Sequence, residues 1–168
     1  MLNFSRRRGW ASPAMRRAPM VRGLSLVELM VALVVVGVLM GQAVPSFFES
    51  AARARLQGAI NELAIDLQYA RSEAVRERAP VSLTVAASGA SYTIANASRT
   101  LKAVTLPSGV TLTADASVSY DALRGMAQAA VFNAAITGIS GNLRVSTNAV
   151  GRVQVCTAST AFGGYAAC

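Results

Sequence analysis

A nearly continuous apolar stretch at residues 24–44, broken only by Ser25, Glu28 and Gln42, constrains this chain more than any other feature. At the helical rise its 21 residues extend about 30 Å, the thickness of a bilayer's hydrocarbon core. A membrane-spanning helix is therefore expected there. One carboxylate, Glu28, lies near its start, and an ionisable group in hydrocarbon needs a cation, a donor or water. Gly37 and Gly41 add a small-residue spacing that permits close helix approach, a weak signal because glycine is common in membrane helices.

A secretory signal peptide has a shorter apolar core, of about 7–15 residues, closed by small residues. Only Gly41, Gln42 and Ala43 weakly resemble such a site. A plain single-span anchor fits the length but accounts for neither Glu28 nor the Arg22-Gly23 boundary. Of the 16 basic residues, Arg6, Arg7, Arg8, Arg16, Arg17 and Arg22 precede Gly23, so the net charge of +8 belongs mainly to the first segment. Beyond it, ten basic residues face eight acidic ones, a balance of +2. Positive charge flanking a span is retained in the cytoplasm, which puts the N-terminus inside and residues after Pro45 outside. Cys156 and Cys168 then meet an oxidising compartment.

Pro45 removes a helical donor and is expected to kink or locally melt the helix. The helical period resumes over residues 45–79, where Leu56, Ile60, Leu63, Leu67, Ala70 and Ala74 share one face. Glu62 with Asp66, and Glu73 with Glu77, stand one turn apart and read as solvated faces with no catalytic role, and Asp66, a turn from Tyr69 and Ala70, reads as structural. Pro80 disfavours a helical predecessor, so the helix should end near Arg78.

From Val81 the period changes to two. A hairpin is expected from 81–85 and 91–94, with further strands at 103–106, 110–113, 130–133, 143–147 and 151–156. The expected fold is α+β: a long N-terminal helix, transmembrane then amphipathic, packed on a small antiparallel sheet head at 80–168. No enzyme is expected, for the chain has no histidine, no nucleophile with a visible base and no phosphate loop. Neither cofactor nor metal is called for.

Gly23 followed by Leu24, Ser25, Leu26, Val27, Glu28, Leu29 and Met30 resembles the processing and methylation motif of type IV pilins and type II secretion pseudopilins. Gln68 to Val75 and the closing segment Gly151-Arg152-Val153-Gln154-Val155-Cys156 are similar to the GspH/FimT group of minor pilins and pseudopilins. The likeness is strong over 23–81 and patchy over 86–137. It implies a pilin-like fold, a leader at 1–23 cut after Gly23 by a prepilin peptidase, and N-methylation of Leu24. Glu28 would guide assembly with other pilins or pseudopilins on an inner-membrane platform. The head would then lie in the periplasm, before and after extraction into a filament.

The resemblance also implies a Cys156–Cys168 disulfide, since members of the group often staple their C-terminal region. Some FimT-like pilins bind DNA through a Gly-Arg-x-Arg segment. Gly151 and Arg152 match it, but Gln154 replaces the second arginine. Arg144 is expected near Arg152, with Arg99, Lys102 and Arg124 as extensions of a patch. DNA is thus the runner-up partner, and type II secretion and type IV pilus biogenesis stay open as settings.

Overall fold

The structure, a computed structural model, describes residues 23–157, 162 and 164–168, without the side chains at 42–45. Apart from Gly23, the leader expected at 1–23 lies outside the described residues. The chain divides into two compact units, Met1–Met40 and Gly41–Cys168.

Helix α1 runs over Leu26–Glu77, and its backbone is helical through Pro45. In the first unit every described side chain from Gly23 onward is exposed, and α1 as a whole contains an 18-residue window apolar enough to cross a membrane. In the second unit the helix changes character. Leu56, Ile60, Leu63, Leu67, Ala70 and Ala74 are all buried, as their shared spacing predicts. The helix closes where Arg78 adopts φ 51° and the Ala79 N–H donates to the Ala74 carbonyl at 3.3 Å, a left-handed cap placed just before Pro80.

Eight strands follow: β1 Val81–Val85, β2 Ser91–Asn96, β3 Thr100–Thr105, β4 Val110–Ala114, β5 Val118–Tyr120, β6 Ala130–Ile136, β7 Asn142–Thr147 and β8 Val153–Thr157. They form two four-stranded antiparallel sheets, ordered β3-β2-β1-β5 and β4-β6-β7-β8, where the sequence reading expected one. The short β5 has no counterpart among the expected strands. Its inclusion follows from pairing with β1, where Val81 faces Tyr120 and Leu83 faces Val118.

The sheets meet where the β1–β2 turn docks on β4. The Leu112 N–H donates to the Gly89 carbonyl at 2.9 Å, and Gly89 has φ +68°. A Cβ at position 89 would lie 2.8 Å from the Leu112 oxygen, so glycine permits this seam. Leu83, Tyr92 and Ile94 from one sheet and Leu112, Phe132 and Val145 from the other join the buried stripe of α1 in one core.

Candidate functional site

Two regions bear on function, and each is described within its own unit. Gly23 and Leu24 precede the first helical turn, and Leu24 is 73% exposed. Glu28 stands in the first turn of α1, where the unpaired amides of a helix start favour negative charge. Its side chain is also exposed.

In the head, polar side chains tie α1 to the strands. Asp66, which is 3% exposed, accepts the Tyr92 hydroxyl at 2.8 Å. Lys102 donates to both of its oxygens at 2.8 Å, and to Glu62 at 3.3 Å. The bonds to Asp66 raise the Lys102 pKa despite some burial. Burial first, then the Asp66 bond, raises the Tyr92 hydroxyl as well. Further along, Glu77 accepts from Asn96 Nδ2 and from Arg99, both at 2.6 Å. The Arg99 bond is the chief reason that Glu77 lies below the ordinary carboxylate value of 4.5.

These contacts correct the expectation that both pairs are solvated, and they give Asp66 the structural role expected of it. Asp66 and Glu73 are buried, and the carboxylates on this stretch join the helix to β2 and β3 or hold Arg76. The periodicity put them beside the apolar stripe, but only the sheet identifies what covers that flank.

At the C-terminus Cys156 and Cys168 form the disulfide expected of them. The last residues return to β8: the Thr157 N–H donates to the Ala166 carbonyl at 2.9 Å, and the Cys168 N–H to the Thr157 carbonyl at 3.1 Å. Tyr165 reaches Asn61 of α1 at 3.4 Å.

The basic positions separate into different places. Arg144 pairs in register with Cys156 of β8, four positions beyond Arg152, which lies just before that strand, or about 13 Å at the strand rise. It donates to Asn133 at 3.0 Å. Arg99 and Lys102 are engaged by Glu77 and Asp66. Only Arg124 joins Arg152, and with them stands Arg71, which the sequence reading did not connect to either.

The three arginines, with Gln68 and Ser72, line a groove of about 490 Å³ between α1 and the loops before β6 and β8. Arg71 Nη1 donates to the Gly151 carbonyl at 3.4 Å. Gly125 and Gly151 have φ +60° and +76°, and a Cβ at position 151 would lie 2.6 Å from the Gly125 oxygen and 3.1 Å from Arg71 Nε. Two glycines thus make the seat through which the Arg71 side chain passes. No local sequence signal joins residues 71, 124 and 152, because two turns distant in sequence bring them together.

Comparison with known proteins bears on both regions. Residues 59–162 match the family described as Type II transport protein GspH. Residues 19–41 match the prokaryotic N-terminal methylation motif, a span that contains Gly23, Leu24 and Glu28. No curated protein sequence matches.

Among solved structures, the type IV minor pilin FimU of Pseudomonas aeruginosa PAO1 is 26% identical with a TM-score of 0.55, over 66% of this chain and 95% of that one. A second crystal form of FimU gives 27% identity and 0.53, over 64% and 98%. The minor pseudopilin EpsH from the type 2 secretion system of Vibrio cholerae shares the fold at 11% identity and 0.53, over 61% and 97%. The long helix bearing a β-rich head is therefore the pilin-like α+β fold expected from the sequence.

Proposed function

The chain belongs to the GspH family of minor pilins and pseudopilins, and we propose that it is a non-enzymatic filament subunit processed and assembled through residues 23–44. The observation that carries this reading is the coincidence of three features in one short segment. They are a methylation motif at 19–41, a glycine boundary at Gly23, and an apolar helix with a carboxylate in its first turn. The precursor is cut after Gly23 by a prepilin peptidase and methylated on Leu24. Its basic leader stays cytoplasmic and its head periplasmic, and the inner-membrane platform then extracts it into a filament with other pilin-type subunits. Pro45 gives the helix a bend as it leaves the apolar core.

Within the filament, Glu28 meets the N-terminal amine of Leu24 on a neighbouring subunit. Such a pair in an apolar bundle need add little net stability, yet a wrong axial register leaves the carboxylate unpaired, which is costly. The pair therefore sets register. Glu28→Gln keeps the shape and removes the charge, so it should leave leader cleavage intact and reduce incorporation into sheared filaments at least about tenfold. Unchanged incorporation would contradict the role.

Of the two settings, type II secretion accords with the family description, whereas 26–27% identity to FimU against 11% to EpsH favours a type IV pilus. Deleting the chain and scoring surface pili against secreted protein separates them. DNA uptake is the lesser alternative, since Gln154 stands where the second arginine of the DNA-binding segment would be.

A further inference from the structure

We propose that the groove formed by Arg71, Arg124 and Arg152 is a docking site for a carboxylate, flanked by apolar side chains, on the head of a different subunit of the same filament. The proposal rests on the filament-subunit reading above. Three arginines line one groove, and none of them has a carboxylate partner among the described residues. Guanidinium binds carboxylate with a planar fork of donors, so the site is built for an oxyanion. Arg71 is held in place beforehand by its glycine seat and the Gly151 carbonyl, which lowers the ordering cost of binding.

Three observations choose the occupant. The loops that supply Arg124 and Arg152 also present Leu123 and Val150, 81% and 63% exposed, and these loops touch through the Ala127 N–H and the Ala149 carbonyl at 3.2 Å. Exposed aliphatic groups beside arginines match a protein surface better than a nucleic-acid backbone, whose contacts are polar and repeat along the strand. Arg71 stands 26 residues beyond Pro45, about 39 Å of helix, which is too far for lipid headgroups at the end of the span. Finally, each carboxylate side chain in the head is already engaged. Glu49 holds Arg53; Glu62 and Asp66 hold Lys102; Glu73 and Glu77 hold Arg76; and Asp115 and Asp121 accept backbone amides. A second copy of this chain could offer a head side-chain carboxylate only by giving up one of these contacts, so the occupant is a different subunit.

The test uses the full-length chain in its own host, with a photo-crosslinking residue in place of Leu123. The adduct is identified by mass spectrometry of the crosslinked peptide. The expected partner peptide is an acidic segment of another protein bearing the N-terminal methylation motif. In an Arg124→Glu, Arg152→Glu background the adduct should fall at least about tenfold, with leader cleavage and the Cys156–Cys168 disulfide unchanged. Arg124→Gln with Arg152→Gln removes charge without reversing it, guards against misfolding, and should act in the same direction. An adduct indifferent to both pairs of substitutions overturns the proposal. So does an adduct to nucleic acid or to a second copy, or no adduct from filaments that contain the chain. A wild-type chain absent from filaments defeats the filament reading itself, and this proposal with it.

Discussion

Asp66 is the head carboxylate with most to lose on substitution, because its neighbours have been arranged around its charge. Asp66→Ala leaves the buried Tyr92 hydroxyl without its acceptor and Lys102 without its main partner, which should cost roughly 1–3 kcal/mol. Tyr92→Phe removes the donor along with the bond and should cost less; thermal unfolding of the two variants gives the comparison. Glu77 makes a separate prediction in pH. Its carboxyl lies below 4.5 in the folded head, chiefly through Arg99, so its contribution is complete above that value and is lost as pH falls through the lowered one. Glu77→Gln should therefore flatten the acid limb of stability measured below about pH 4.5, and high salt should do part of the same. A wild-type slope retained in the variant would contradict this.

Where α1 ends, the termination before Pro80 was legible in the sequence, but the cap that carries it was not. Arg78 adopts a left-handed conformation that costs a side-chain-bearing residue about 1–2 kcal/mol, whereas glycine in the unfolded chain costs about 0.5–1 kcal/mol in entropy. Arg78→Gly should thus raise head stability by about 0.5 kcal/mol in chemical denaturation. The apolar stripe from Leu56 to Ala74 could be read because helical period depends only on spacing. Strand period places strands equally well, but it says nothing about which edges pair. One sheet was therefore expected where two exist, and β5, only three residues long, has too few positions to show alternation. The β1–β2 turn at Gly89 decides the matter, since its contact with Leu112 joins the two sheets at a seam that no local pattern records.

At the scale of the molecule, the two functional regions differ in how sequence encodes them. The N-terminal motif is contiguous: boundary glycine, following leucine, carboxylate and apolar run stand within a single span, and a family motif covers them at 19–41. The arginine groove is assembled from residues 71, 124 and 152, and only the fold brings it together. The expected Arg144–Arg152 patch failed for the same reason, because strand register separates the two along the sheet. The division of the chain follows this contrast, with an exposed apolar helix in one unit and a packed head in the other.

The central claim is that the apolar helix is the product of leader removal and the core of a filament. Intact mass and N-terminal sequence of the membrane-extracted protein, with and without prepilin peptidase, test it most directly. The account predicts a chain beginning at methylated Leu24 only when the peptidase is present; a full-length chain in both strains, or one cut near Ala43, would contradict it.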